Sequence, residues 1–116
     1  MQFRIQQQSY AVSYPAAENS VILLAEKPIG RMLVERSPRE ILLVDIALLP
    51  DYRQQGIGSA LVQSLLDEAA AAEKSVGLSV YQSNPAMRLY QRLGFSKVGE
   101  EGLYMQMQWQ ANPRRI

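Results

Sequence analysis

Apolar residues occur along this chain in short runs separated by polar turns. Three runs in the first half, residues 20–26, 31–36 and 40–49, have the length and the Ile, Leu and Val content of strands. The segments between them, residues 27–30 and 37–39, each contain a proline and are short enough to be turns. The pattern therefore predicts an antiparallel meander of three strands.

The periodicity becomes helical after the third strand. Apolar residues recur at three- and four-residue spacing as far as Lys74, which predicts a helix that begins at Gly58 or Ser59. Residues 76–81 follow as a fourth strand. This strand can lie parallel to the third, because the helix between them is long enough for a crossover connection.

A short second helix and a terminal hairpin complete the predicted elements. Asn84 suits the N-cap of a helix, Pro85 its first turn, and Gly94 the position after its end. Residues 95–100 and 103–109 then form two strands joined by a turn. The sequence as a whole predicts an α/β fold with a mixed sheet.

The first 14 residues fit two patterns. Phe3 and Ile5 alternate with polar residues as in a strand. A helix would instead bring together on one face Phe3, Gln7, Tyr10 and Tyr14. Because the composition of this segment favours helix, we predict a helix ending before Pro15, followed by a linker over residues 15–19.

Length and composition predict one domain, with residues 1–19 as its N-terminal part, residues 20–109 as its core and residues 110–116 as a tail. The chain has 116 residues, of which 47% are hydrophobic and 20% charged, as in a globular protein. Its net charge of +1 gives no general electrostatic basis for binding nucleic acid or an anionic membrane. No apolar run reaches membrane-spanning length, so we expect a cytoplasmic location.

The absence of two residue types limits the chemistry of this chain. It contains no cysteine, and therefore no thiol nucleophile and no disulfide. It contains no histidine, which removes the commonest general base and the commonest metal ligand. We therefore expect no metal site.

The loop between the third strand and the long helix has the features of a phosphate-binding loop. The first N–H groups of a helix lack internal partners, and the helix dipole places partial positive charge there. Gly56 and Gly58 would let the backbone approach an anion, and Arg53 adds a full charge. The loop is not a Walker loop, since no Gly-Lys-Ser/Thr follows. It is not the dinucleotide fingerprint either, since Leu61 replaces the third glycine.

Two strings in the chain resemble the GNAT family of N-acetyltransferases. Residues 53–58, RQQGIG, are similar to the family string Arg/Gln-x-x-Gly-x-Gly/Ala. Residues 84–95, NPAMRLYQRLGF, are similar to Asn-x-x-Ala-x-x-Leu-Tyr-x-x-Leu-Gly-Phe. The strings occur in the family order with a fitting helix and strand between them, and the resemblance covers roughly residues 20–109.

The resemblance implies an acetyl-CoA-dependent transfer of an acetyl group to a primary amine by direct attack. It also implies a sheet that splays between the third and fourth strands of the predicted core. Pantetheine would pair there with the backbone near Ile46, Ala47 and Leu48, and Asn84 and Tyr90 would line the other side. The expected pyrophosphate-binding residues are Arg53, Gln54, Gln55, Gly56, Ile57, Gly58 and Ser59.

The catalytic roles are less completely determined. Tyr90 matches the tyrosine acid of the family, although helical spacing alone would make it a packing residue. Asn84 could bond pantetheine or a water, or simply cap the helix. The general base is left open between Asp45 and Glu40, which strict alternation places on opposite faces of the third strand. Asp45 could equally be a structural acid that bonds backbone N–H groups.

The N-terminal part departs from the family pattern. Family members usually begin with another strand and one or two helices, which shape the acceptor pocket. Here residues 1–14 would represent the end of the second helix, and the first strand and first helix would be absent. Two alternatives follow: a coenzyme A-binding module without turnover, or a different nucleotide-binding α/β domain. An exposed sheet edge could also be covered by pairing with a second copy, as a homodimer.

Overall fold

The computed structural model describes residues 3–8 and 17–111 of the chain. These residues form a seven-stranded sheet in the order β1-β2-β3-β4-β5-β7-β6, in which only β4 and β5 pair in parallel. The elements are β1 (Phe3–Gln8), β2 (Ala17–Leu24), β3 (Lys27–Arg36), β4 (Glu40–Leu48), α1 (Ile57–Ala72), β5 (Ser75–Tyr81), α2 (Ala86–Arg92), β6 (Ser96–Glu101) and β7 (Tyr104–Trp109). The predicted α/β fold with a mixed sheet is confirmed.

The N-terminal prediction was wrong over the described residues. Residues 3–8 form a strand and not a helix, and β1 pairs antiparallel with β2 in a register that runs from Phe3 opposite Leu24 to Gln8 opposite Asn19. Pairing with the edge of β2 outweighs the local helix propensity of this glutamine-rich segment, because tertiary context commonly overrides propensity. A strand therefore precedes the hairpin, contrary to the expectation that the first strand is absent. Residues 9–16 lie outside the described part of the chain.

The connection between β2 and β3 also differs from the prediction. The expected turn at residues 27–30 belongs to β3, and residues 17–19 of the expected linker belong to β2. The actual turn is formed by Ala25 and Glu26, whose φ angles are 52° and 66°. Two residues with positive φ make the tight turn that suits a hairpin. Because neither residue is glycine or asparagine, this turn could not be recognised from its residue types.

The second half of the chain follows its prediction closely. Helix α1 begins one residue before the expected start, β5 runs parallel to β4, and β6 and β7 form the terminal hairpin. Gly94 lies just beyond α2 with a φ of 104°, as expected for a residue that closes a helix. Neither described helix has the length and apolar character needed to cross a membrane.

Helix α1 packs its apolar face on the centre of the sheet. Buried residues recur along it at three- and four-residue spacing, which keeps them on one side of the helix. They are Ile57, Leu61, Val62, Leu65, Leu66 and Ala69. These side chains join buried residues of β3, β4 and β5 in one core, so the start of α1 is held firmly against the end of β4.

Strand β4 contains a bulge at Val44. Val34 of β3 pairs with Leu43, but the preceding Leu33 pairs with Asp45, so Val44 is an extra residue on β4. A bulge of this kind increases the local twist and bends the strand. At the same point the parallel pairing of β4 with β5 ends, at Leu43 opposite Leu78. The predicted gap between these strands is therefore confirmed.

The bulge also changes which face of the sheet carries Asp45. One extra residue reverses the alternation, so that the register places Asp45 on the same face as Glu40. The prediction that these carboxylates lie on opposite faces was therefore wrong. Glu40 stays at the paired end of β4, where a Cβ added at Gly77 would lie 2.7 Å from its Oε2, whereas Asp45 lies beyond the last β4–β5 pair.

An ion cluster links helix α1 to the sheet. Arg36 donates through Nε to Oε2 of Glu68 at 2.6 Å and through Nη2 to Oε1 at 2.9 Å, and it also contacts Glu18 on β2. Hydrogen bonding by Arg36 lowers the pKa of the Glu68 carboxyl, and Glu68 in turn raises the pKa of Arg36. The cluster therefore contributes to holding α1 in place on the sheet.

We predict that Glu68→Gln weakens folding by about 1 kcal/mol or less at pH 7, because the pair is partly exposed to water. A carboxyl whose pKa is lowered by folding stabilises the fold when the pH is above the pKa of the unfolded chain. This contribution is lost as the pH falls through the pKa of the folded chain. The difference from the unsubstituted chain should therefore disappear as the pH falls well below 4.5. Urea unfolding at neutral and acid pH measures this.

The matched control is Asp67→Asn. Asp67 is exposed and accepts a hydrogen bond from Gln63, one turn earlier in α1, at 3.0 Å. We expect a loss of a few tenths of a kcal/mol for this local pair. Equal losses for the two variants, or a Glu68→Gln loss that persists unchanged in acid, would contradict the assigned role of the cluster.

Candidate active site

Two neighbouring cavities meet at Ile46 and Tyr90. The first, the loop cavity, has a volume of about 200 Å³ and is also lined by Leu48, Arg53, Gly58, Val62 and Leu89. The second, the gap cavity, has a volume of about 260 Å³ and occupies the space between β4 and β5; its polar lining includes Asp45, Ser79, Tyr81, Asn84 and Tyr104. One cavity therefore adjoins the predicted phosphate loop, and the other adjoins the gap in the sheet.

The loop that follows β4 is held by its own hydrogen bonds. The backbone N–H of Leu49 donates to the carbonyl of Ile29 at 2.8 Å, and a single turn of 3-10 helix covers Pro50–Tyr52. Gln55 then donates through Nε2 to the carbonyl of Asp51 at 2.6 Å. These bonds fix the direction in which the chain enters α1.

Arg53 has a structural partner and remains exposed. Its Nε donates to the carbonyl of Leu48 at 3.0 Å, which secures the end of β4. A guanidinium has five N–H donors in a fixed fork, so this bond leaves the Nη donors for a ligand. Arg53 lines the loop cavity.

The start of α1 has the geometry of an anion-binding turn. Gln54 and Gly56 have φ angles of 60° and 82°, and Gly56 is the N-cap without a side-chain capping bond. The N–H groups of the first helical turn have no intrahelical acceptor, so those of Ile57, Gly58 and Ser59 can donate to a ligand. The side chain of Ile57 is buried in the core and contributes only its backbone here.

Gly58 leaves open space beside the loop cavity. A Cβ added there would meet no atom nearer than Cδ1 of Leu48 at 4.0 Å. There is therefore space beside Gly58, and a Cβ there would not collide with the core.

The edge of β4 that faces the gap includes the residues expected to contact pantetheine. Ile46, Ala47 and Leu48 pair with β3 on one side, and beyond Leu43 the other side of β4 has no strand partner in the described part of the chain. Backbone groups on such an edge can pair with an extended ligand. Ile46 also lies at the boundary between the two cavities.

Tyr90 stands between the two cavities. It is 7% exposed and packs edge-on against Phe95, with the ring centroids 5.7 Å apart. Burial raises the pKa of its phenol above the ordinary value of 10.0, and the negative charge of Asp45 raises it further. Tyr90 therefore keeps its proton at neutral pH and faces both cavities.

Asp45 provides the negative charge of the gap cavity. Its side chain is 51% exposed, and its Oδ2 lies 4.0 Å from Nη2 of Arg31, which is the only ion pair of Asp45 within the described residues. No other charged side chain among those described lines this cavity. No three potential metal ligands come together anywhere in residues 3–8 and 17–111.

Asn84 caps the start of α2. Its Oδ1 accepts a hydrogen bond from the N–H of Ala86 at 2.9 Å, while it also lines the gap cavity. The spacing between Asn84 and Tyr90 is one residue shorter than the spacing between asparagine and tyrosine in the family string. Asn84 thus uses its Oδ1 at the start of α2, and its side-chain NH2 group is the part that could contact a ligand.

Two tyrosines on the far side of the gap were not predicted as site residues from the sequence. Tyr81 on β5 and Tyr104 on β7 are paired across the sheet, with ring centroids 5.3 Å apart and planes at 76°. Both line the gap cavity with Ser79. Only the register of β5 with β7 brings them together, and the strand pattern alone did not indicate that register.

Comparisons with known proteins show which family and which fold this chain is similar to. A model of the acetyltransferase (GNAT) domain matches residues 17–97. The ribosomal protein bS18 alanine N-acetyltransferase of Escherichia coli is 42% identical over 60 residues, which are 50% of this chain and 40% of that protein. The N-alpha-acetyltransferase of Sulfurisphaera tokodaii is 47% identical over 60 residues, 48% of this chain and 35% of that protein. The matches thus span less than half the length of these relatives.

A solved structure is similar over most of its length. A GNAT family acetyltransferase from Elizabethkingia anophelis with acetyl-CoA bound has a TM-score of 0.75 and 14% identity, and the match covers 93% of this chain and 97% of that one. At this identity the likeness shows the fold alone.

We predict that the Tyr90 phenol titrates above pH 10, because burial disfavours the phenolate. Asp45→Asn should lower its pKa, by removing the nearby negative charge, while leaving it above 10, since burial is the larger cause. NMR of chains with ¹³C-labelled tyrosine Cζ measures this, and Tyr90→Phe identifies the resonance.

Asp51→Asn serves as the control, since Asp51 is an exposed acid of the loop that does not line the gap cavity. It should leave the Tyr90 midpoint unchanged. A midpoint at or below 10, or equal effects of the two substitutions, would show that the environment assigned to Tyr90 is incorrect.

Proposed function

Because the chain belongs to the GNAT acetyltransferase family, we propose that it transfers an acetyl group from acetyl-CoA to a primary amine by direct attack. The observation that carries the proposal is the position of Tyr90. Its phenol lies between the loop cavity, which adjoins an anion-binding helix start, and the gap cavity, which contains Asp45. Two reactants could thus approach one proton donor from opposite sides.

The loop cavity is the proposed cofactor side. The N–H groups at the start of α1 and the Nη groups of Arg53 would bind the pyrophosphate, because both favour negative charge. Pantetheine would extend from there along the free edge of β4 past Ile46 to Tyr90. Gln54, Gln55 and Ser59 would contribute through the local backbone of the loop and first turn.

The chemistry of Tyr90 follows from its protonated state. In the reaction the amine nitrogen bonds to the acetyl carbon while the bond from that carbon to sulfur breaks. Tyr90 would donate its proton to the departing sulfur, which then leaves as a thiol. The raised pKa keeps this proton in place across the neutral range, and the phenolate is then restored to phenol by solvent.

The acceptor amine would lie in the gap cavity near Asp45. A carboxylate attracts the ammonium form and stabilises the positive charge that develops on nitrogen during attack. The nitrogen then releases one proton, to Asp45 or through water to solvent. A covalent acyl-enzyme is not needed, and the chain has no cysteine to form one on a thiol.

The names of two relatives support an amine acceptor. They are a ribosomal protein bS18 alanine N-acetyltransferase and an N-alpha-acetyltransferase. The alternative is a module that binds coenzyme A without turnover. The gap cavity keeps both a carboxylate and a phenol, which favours the enzyme.

Tyr90→Phe tests the acid role. The ring and its contact with Phe95 are kept, so the fold should persist. We expect kcat to fall about 100-fold, the low end of general acid catalysis, with little change in acetyl-CoA affinity. Steady-state acetylation of an amine panel and calorimetric titration measure the two effects. An unchanged kcat would remove Tyr90 as the acid, and cofactor binding without turnover in the unsubstituted chain would favour the binding module.

Gly58→Val tests the cofactor side. Valine should fill the space beside the loop cavity and weaken acetyl-CoA binding about tenfold or more, with a small change in melting temperature. Ala60→Val is the matched control, because Ala60 lies exposed two residues further along α1 and does not line the loop cavity. Calorimetric titration of both variants should separate them, and equal affinities would refute the assignment of this cavity.

A further inference from the structure

A third cavity, the wedge cavity, lies between helix α1 and the strands β2 and β3. Its volume is about 210 Å³, roughly that of seven liquid water molecules at about 30 Å³ each. Its apolar lining is Met32 and Val34 on β3 with Leu61 and Leu65 on α1, each 4% exposed or less. Within the described part of the chain it shares no lining residue with the loop cavity or the gap cavity, so it is a separate place in the fold.

Ser20 is a buried polar residue that faces the wedge cavity. It pairs with Met32 in the β2–β3 register, which puts its side chain on the face of the sheet covered by α1. The residue is 7% exposed, and its hydroxyl has no hydrogen-bond partner among the residues that the structure describes. Over the same residues no fully buried side-chain oxygen lacks a partner, so the Ser20 oxygen is open to the cavity. Buried polar groups are normally hydrogen-bonded, and this one is available to a bound molecule.

The charged lining of the wedge cavity is negative overall. Arg36 lies between Glu18 and Glu68, and one guanidinium with two carboxylates leaves a formal charge of −1. Arg36 contacts Oε2 of Glu18, so Oε1 of that carboxylate remains for another donor. The hydroxyl of Ser64 on α1 is a further acceptor. Together with the Ser20 hydroxyl, these groups give three oxygen acceptors beside an apolar surface.

We propose that the wedge cavity binds a small primary alkylammonium compound, with the ammonium beside Glu18 and the alkyl chain against Met32 and Leu65. An ammonium group has three donors and no acceptor, which matches the three oxygens. A carboxylate would be repelled by the excess negative charge, and a neutral alcohol would lack the charge interaction. The inference goes beyond acetyl transfer, because Tyr90 does not line this cavity.

The test compares three probes that have the same alkyl chain and different head groups, at pH 7.5 and without acetyl-CoA. They are n-pentylamine, which is protonated because its pKa is close to the lysine value of about 10.4, 1-pentanol and pentanoate. The readout is methyl NMR of the chain with ¹³C-labelled methionine, and Met32→Leu identifies the Met32 resonance. Pentylammonium should move this resonance with a Kd of about 1 mM, 1-pentanol should bind about tenfold more weakly, and pentanoate should cause no shift. Met87 on α2 does not line the cavity and should not respond.

Two variants locate the ammonium and the alkyl chain. Glu18→Gln keeps a side-chain oxygen for Arg36 and brings the formal charge to zero, so the tenfold preference for pentylammonium over 1-pentanol should fall below about twofold. Ser64→Leu should fill the cavity from the exposed side of α1 and weaken both probes about tenfold or more. Asp67→Asn is the matched control, because it removes an exposed acid of α1 that does not line the cavity, and it should change neither affinity.

The outcomes separate this inference from the proposed function, since no acetyl-CoA is present. Failure of every probe to move the Met32 resonance, or equal affinities for pentylammonium and pentanoate, would overturn the wedge site and leave acetyl transfer untouched. A pentylammonium affinity that Glu18→Gln leaves unchanged and Asp45→Asn abolishes would place the amine in the gap cavity and would also overturn it. The expected order of probes, lost in Glu18→Gln and kept in Asp45→Asn, supports the wedge site.

Discussion

The architecture of the site depends on the point at which β4 and β5 stop pairing. Parallel hydrogen bonding ends at Leu43 and Leu78, next to the extra residue Val44 of the β4 bulge. A continuous ladder would fill this space with backbone hydrogen bonds. Its interruption instead leaves two free strand edges and a cavity that reaches Tyr90. The buried face of α1 holds the surrounding sheet together despite this opening.

Two separate features converge on Tyr90. From the loop side, β4 leads through a hydrogen-bonded turn into α1, whose first N–H groups and Arg53 create a positive region. From the gap side, the same bulge that bends β4 places Asp45 on the open face of the sheet. We propose that the buried phenol donates a proton between an anionic cofactor and a cationic acceptor. The positive region on the loop side would bind the cofactor, and the negative charge of Asp45 on the gap side would bind the amine, so each reactant would be held on its own side of Tyr90.

Local signals allowed much of the fold to be predicted. The glycines of the phosphate loop, Gly94 after α2 and the helical spacing of α1 depend on neighbouring residues, and the sequence shows these directly. The resemblance of two strings to the family also allowed the gap between β4 and β5 and the position of Tyr90 in the site to be predicted. The turn at Ala25 and Glu26 was missed because it uses positive φ without glycine or asparagine. Residues 3–8 were missed because their state depends on the edge of β2.

The acceptor side of the site was less predictable because it too depends on strand pairing between distant parts of the sequence. Strict alternation assigned Asp45 to the wrong face because a bulge leaves no mark in the order of residues. Tyr81 and Tyr104 are brought together by the pairing of β5 with β7, two strands that are distant from each other in the sequence. Local conformation could thus be derived from the sequence, whereas contacts set by strand register required the structure.

The central claim is that cofactor and amine occupy opposite sides of Tyr90 at the same time. Initial rates measured while both acetyl-CoA and Ala-Ala-Ala amide are varied test this most directly. Direct attack in a ternary complex predicts double-reciprocal lines that intersect. Parallel lines, with acetyl-enzyme detectable by mass spectrometry in the absence of amine, would indicate a covalent intermediate and contradict the account.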